Sequence, residues 1–110
     1  MKEYNKLVRD KIDEIINNNG KGERAVVRIL SDEELKVELI KKLAEEMKEL
    51  VEAINAGDKN AITEESADLV EVVRAINDNN LTKVFEIMEQ KKQKRGGFEQ
   101  KKFLEHVIEK

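Results

Sequence analysis

The sequence predicts an all-α fold, a helical bundle of four main helices plus a short C-terminal segment, on three observations. Apolar residues recur at spacings of three and four along most of the chain, the period of one helix face. Proline is absent, so nothing interrupts long helices from within. Charged residues make up 41% of the chain against 4% aromatics, a balance that suits helices with thin apolar stripes and wide solvated faces. A chain of 110 residues has room for one domain, spanning 1–110, with a modest core. A core that thin is expected to be completed by oligomerisation, as a dimer or tetramer.

Leu7, Val8, Ile12, Ile15 and Ile16 share one helical face, and Asn17-Asn18-Asn19-Gly20 stops that first short helix. Residues 25–30, Ala-Val-Val-Arg-Ile-Leu, are β-branched enough for an extended run. A lone strand would have no partner, so a connecting segment packed on the bundle is expected. Ser31-Asp32-Glu33-Glu34 reads as a capping box and opens a long helix with three acids in its first turn. Its stripe runs through Ile40, Leu43, Met47, Leu50, Val51 and Ile54 until Asn55-Ala56-Gly57 ends it. Asp58 or Asn60 can cap the next helix, whose stripe is Ile62, Leu69, Val70, Val72, Val73 and Ile76, ending at Asn77-Asp78-Asn79-Asn80. A fourth helix is expected from about Leu81 to Arg95, stopped by Gly96-Gly97. Beyond it, a loop and a short helix using Phe103, Leu104, Val107 and Ile108 complete the prediction.

The composition removes several function classes. There is no cysteine, which excludes disulfides and thiolate metal sites, and His106, expected on the surface, is the one histidine, so a zinc centre has few ligands to draw on. No segment approaches the roughly 20 apolar residues of a spanning helix, and Met1-Lys2-Glu3-Tyr4-Asn5 is not the start of a signal peptide, so a cytoplasmic protein without a membrane partner is expected. Charge is segregated: from Ser31 to Val73 thirteen acids face five lysines, whereas from Lys91 to Lys102 six basic residues face Glu99 alone. The acidic middle would repel a long polyanion, so no nucleic-acid partner is expected. An acidic centre with a basic tail suits a metal plus a polyphosphate, and on charge alone it suits a salt-bridged bundle too.

Two pairs of acids stand out within the acidic stretch. Glu46 and Glu49 on the long helix, and Glu65 and Asp68 on the next, are each three residues apart and therefore on one helical face. Set against each other by the turn at Gly57, they form a candidate site for a divalent cation, and oxygen-only ligation selects Mg²⁺ or Mn²⁺. Around the helix axis Glu46 borders the stripe centred on Leu43 and Leu50, with Glu49 one step further, so a solvated flank accounts for both equally well. Glu65 lies within the apolar arc of Leu69, Val72 and Ile76. A carboxylate there must be protonated, bound to a cation or paired with a lysine such as Lys42 or Lys48. Glu45 adds a fifth acid that can bind a second ion, position a water or remain solvated.

Glu45-Glu46-x-x-Glu49 followed by Glu65-x-x-Asp68 resembles the EExxE…ExxD signature of the all-α nucleoside triphosphate pyrophosphohydrolases, the MazG-like and phosphoribosyl-ATP pyrophosphohydrolase-like superfamily. Asn5-Lys6-Leu7-Val8-Arg9-Asp10-Lys11-Ile12 and Lys94-Arg95-Gly96-Gly97-Phe98 are similar to hallmarks of its small stand-alone house-cleaning branch. The resemblance implies an oligomeric helical enzyme that cleaves between the α and β phosphates of a nucleotide substrate, giving a nucleoside monophosphate and pyrophosphate. It also implies Mg²⁺ ligands at Glu46, Glu49, Glu65 and Asp68, with Glu45 near the attacking water and Glu45 and Glu46 as the catalytic carboxylates.

The basic residues then become candidates for substrate binding: Arg9 and Lys11 near the start, and Lys91, Lys94 and Arg95 with Gly96, Gly97 and Phe98 near the end. Arginine can hold phosphate bidentately, glycines let backbone amides approach an anion, and Phe98 or Tyr4 can stack on a base or serve as an apolar contact. Pairing of Arg9 with Asp10 or Glu14, and a plain helix stop at Gly96-Gly97, are the ordinary alternatives. Phosphoribosyl-ATP hydrolysis is the second reading within the superfamily, since no basic pocket dedicated to a second phosphate is visible. A non-catalytic helical interaction module is the reading from outside it.

Overall fold

The computed structural model describes residues 1–109 and is helical, with no strand among the described residues. Four helices follow one another: α1 (Ile12–Asn17), α2 (Asp32–Ala56), α3 (Lys59–Ile76) and α4 (Thr82–Arg95). They fall into two compact units, Met1–Asn79 and the residues from Asn80 on. No helix is long and apolar enough to cross a membrane.

In the first unit α1 is shorter than its apolar spacing suggests. Arg9 to Ile12 form a turn instead, the Ile12 amide donating to the Arg9 carbonyl at 3.1 Å, and Lys11 at the helix start provides no side-chain cap. A helix without a cap leaves its first amides unsatisfied, which favours the later start. Its end falls where the asparagines stand. Asn18 donates from both its backbone and its side chain to the Glu14 carbonyl, and the Asn17 side chain accepts from the Ala25 amide at 2.9 Å, folding the loop back on the helix.

Residues 25–30 are a connecting segment, as expected, but only Ala25 and Leu30 at its two ends are half-buried. Val26, Val27 and Ile29 are exposed, Ile29 almost fully at 93%. What pins the segment is polar: Arg28 donates through both terminal nitrogens to the Glu34 carboxylate, at 3.2 and 2.9 Å. Glu34 also closes the capping box, accepting from the Ser31 amide at 3.1 Å while the Ser31 hydroxyl accepts from the Glu34 amide at 3.2 Å. Its carboxyl is held down to about 2, first by the Arg28 hydrogen bond and then by the Ser31 amide. Ser31→Ala removes the cap of the longest helix and is expected to cost about 1 kcal/mol, read as a lower midpoint in urea unfolding.

Gly57 and Asp58 alone separate α2 from α3. Gly57 adopts the left-handed conformation (φ 68°) and donates to the Ile54 carbonyl at 3.1 Å, while the Asp58 side chain caps α3 by accepting from the Ala61 amide at 3.1 Å. So short a turn returns α3 antiparallel along α2, and these two helices pack together. Leu39 and Ala53 of α2 and Val72 of α3 are buried between them, flanked by half-buried Leu43, Leu50, Leu69 and Val73. The rest of the α2 stripe does not join this contact: Ile40, Met47, Val51 and Ile54 are each more than half exposed.

In the second unit α4 begins after Asn80, whose side chain accepts from the Thr82 amide at 2.9 Å, and ends where the Gly96 amide donates to the Lys92 carbonyl at 2.8 Å. The short helix expected beyond Phe98 is not formed. Phe103, Leu104, Val107 and Ile108 are exposed, and a helix this short, with no surface to bury its apolar face, does not recover the cost of nucleation.

Candidate functional site

The acids of the first unit are gathered by the α2–α3 contact. Leu39, Glu46 and Ala53 are the three buried residues of α2, each seven apart, so Glu46 stands in the middle of the face that α3 covers. It is 7% exposed, the one buried charged residue among those described. This reverses the ranking expected from the sequence, where Glu46 bordered the stripe and Glu65 intruded. The apolar arc of α2 is wide and only half of it meets α3, so its geometric centre at Leu43 and Leu50 is not the centre of the contact.

Glu49 lies one turn further along α2, and Glu65 enters from α3; both are half-buried. One oxygen from each of Glu46, Glu49 and Glu65 lies within 4.8 Å of the other two. The Oε2 atoms of Glu46 and Glu65 are buried and have no hydrogen-bond partner. An orphaned carboxylate oxygen costs on the order of 1–3 kcal/mol or more when left so. Burial, together with the Glu49 carboxylate and the charge of Asp68, pushes the Glu46 carboxyl up to about 7, with Lys42 opposing weakly. Glu65 is raised as well, first by burial and then by Glu49.

The expected lysine partner for Glu65 is not there: neither Lys42 nor Lys48 lies within 4.0 Å of it, and no ion pair of Glu65 occurs among the described residues. Lys42 instead sits on its own helix, 3.8 Å from Glu45 and 3.9 Å from Glu46. Lys42, expected as a partner of Glu65, thus pairs within its own helix, and its spacing of three and four from Glu45 and Glu46 is the sequence signal for that pairing. Three clustered carboxylates, two with unsatisfied buried oxygens and a single lysine, Lys42, reaching only Glu46 at 3.9 Å, keep an excess of negative charge that fits a hard divalent cation. Metal–oxygen bonds of roughly 2.1 Å need only small side-chain adjustments to close such a group.

Asp68 is not in the cluster. Its Oδ1 accepts from Arg9 Nη2 at 2.8 Å, in a pair whose side chains are 59% exposed for Arg9 and 43% for Asp68. Arg9 therefore pairs with neither Asp10 nor Glu14. It stands in the turn ahead of α1 and not within the helix, and Lys11 is the exposed residue at that helix's start. Glu45 is exposed, and its ion-pair partner among the described residues is Lys42 at 3.8 Å.

The basic candidates of the second unit, Lys91, Lys94 and Arg95, follow one another along the last turns of α4, and Gly96, Gly97 and Phe98 continue from its end, all exposed. Gly96 has φ 81° and takes the helix stop. Gly97 has its open side against the Glu99 carboxylate, which also lies 3.8 Å from Lys92. The anion near this glycine pair is thus one of the chain's own.

No curated protein and no solved structure matches the chain. The family model of the MazG nucleotide pyrophosphohydrolase domain does match, over residues 35–97. That stretch runs from the first turns of α2 through the clustered acids to the end of α4 and covers more than half of the chain, so the protein belongs to the MazG nucleotide pyrophosphohydrolase domain family.

Proposed function

We propose that the protein is a Mg²⁺-dependent nucleoside triphosphate pyrophosphohydrolase, cleaving the α–β phosphoanhydride to give a nucleoside monophosphate and pyrophosphate. The observation that carries this reading is the buried Glu46 carboxylate with its orphaned oxygen, facing Glu49 and Glu65. Glu46, Glu49 and Glu65 hold the ion, and Asp68 is the fourth acid available to it. When bound, Mg²⁺ neutralises phosphate charge and acts as a Lewis acid toward the attacking water; Mn²⁺ can replace it.

The chain's own groups supply the rest. Glu45, exposed beside the cluster, orients the water for in-line attack on phosphorus and accepts its proton, with Glu46 sharing the work; the bridging oxygen leaves with pyrophosphate. Arg9 and Lys11 are phosphate contacts on this reading, as separately are Lys91, Lys94, Arg95, Gly96 and Gly97, while Phe98, 98% exposed, offers a face for a base. Residues 1–110 then act as one functional domain. Triphosphates and Mg²⁺ are abundant in the cytoplasm, where a house-cleaning role on non-canonical nucleotides belongs. The exposed Ile40, Met47, Val51 and Ile54 support a homo-oligomer, since a monomer would leave this apolar stripe in water.

The test is a panel of canonical, deoxy, oxidised and deaminated triphosphates with Mg²⁺, each product identified. Pyrophosphate release from at least one is expected. Release of orthophosphate alone, or no turnover of any, overturns the reading.

A further inference from the structure

We infer that Arg9 is a positioning residue that holds Asp68 outside the three-carboxylate cluster and gives it up when a polyphosphate binds, coupling metal affinity to nucleotide affinity. The inference rests on the proposed metal function and adds a regulation of that same site. Four acids were available to gather, yet only three do so. The fourth is turned to an arginine 59 positions away in sequence, at 2.8 Å. Asp68 remains within electrostatic reach of the cluster, because its charge contributes to the raised carboxyls of both Glu46 and Glu65. It also stands three residues from Glu65 on the same face of α3, so a side-chain rotation, without rebuilding the helix, turns it toward the cluster.

The strength of the ion pair suits an exchange. Both partners are substantially exposed, and exposed pairs contribute at most about 1 kcal/mol. A phosphate offers the guanidinium a bidentate, doubly charged partner, a better one than the single contact Asp68 makes. Without nucleotide, Arg9 lowers the negative charge offered to a cation. With nucleotide, Arg9 moves to phosphate, Asp68 is freed for the ion, and each ligand strengthens binding of the other by the same factor.

The experiment is a Mn²⁺ titration by calorimetry on wild type, Arg9→Gln, Asp68→Asn and the double variant, with and without a non-hydrolysable triphosphate. Arg9→Gln is expected to bind Mn²⁺ about threefold to fivefold tighter without nucleotide, the scale of losing an exposed ion pair. That gain should fall below about twofold in the Asp68→Asn background, since sites that act through each other are not additive. The affinity increase caused by the triphosphate should shrink most in Arg9→Gln and less in Arg9→Lys, which keeps the charge but not the bidentate fork. An Arg9→Gln gain of equal size with Asp68→Asn present means simple charge repulsion and overturns the inference while leaving the metal site standing. Absence of Mn²⁺ binding in all of the proteins overturns both.

Discussion

Glu46→Gln is expected to reduce kcat by about 10²–10³-fold, the scale of losing one preorganised electrostatic group, while making the metal-free protein more stable. The two effects share a cause. The carboxylate occupies the middle of an apolar contact at 7% exposure, with one oxygen unpartnered, so its charge is a cost to the fold that Lys42 at 3.9 Å offsets only in part. The glutamine keeps the shape and removes the charge.

The pH dependence follows from the direction of the shift. Glu46 titrates near 7 in the folded chain, above the ordinary 4.5 of the unfolded one, so between those values the folded state holds the extra proton. Stability of the metal-free protein is therefore greatest below about 4.5 as far as this group is concerned, and declines as pH rises to about 7, after which the cost is complete. At pH 8 the urea midpoint of Glu46→Gln should exceed that of wild type by the equivalent of about 1–3 kcal/mol, and the difference should vanish near pH 4. A variant less stable than wild type at pH 8 would show that the carboxylate is satisfied by something within the chain.

Mg²⁺ should raise the thermal midpoint of wild type by about 10 °C or more at a concentration a hundred times its dissociation constant, since such binding adds about 2.7 kcal/mol. Circular dichroism with Mg²⁺ and with a chelator measures this directly. The shift should grow as pH is raised through 7, because below it the proton on Glu46 competes with the metal. In Glu46→Gln most of the shift should be lost, leaving the weaker contribution of Glu49 and Glu65. A midpoint that ignores the metal at pH 8 would remove the central reason for assigning these acids to a cation.

What could be read from the sequence was local. The capping box at Ser31, the stop at Gly57, the Asp58 cap and the end of α4 at Gly96 each depend on neighbours within about four residues, and each is found where the residues place it. The identities of the clustered acids were also legible, because a spacing of three on a helix is a local property. Readings that depend on which surface meets which were not legible in this way. Glu46 outranks Glu65 because α3 covers only part of a wide apolar arc, and spacing along α2 carries no record of where that cover stops. The Arg9–Asp68 pair spans 59 positions and leaves no periodic trace. The missing helix after Phe98 is the same lesson in reverse: a correct apolar pattern does not fold a segment that has nothing to fold against.

The turn at Gly57 has a metric consequence. Glu49 and Glu46 precede it by eight and eleven residues, and Glu65 and Asp68 follow it by eight and eleven. At roughly 1.5 Å per residue the two arms count out equal lengths from one hinge, so Glu49 comes level with Glu65 and Glu46 with Asp68. The glycine thus serves as the zero of a ruler that both helices read. Adding a single residue to either arm between the glycine and the acids would displace one pair by about 1.5 Å and swing it through about 100°, dismantling the cluster without removing any of its members.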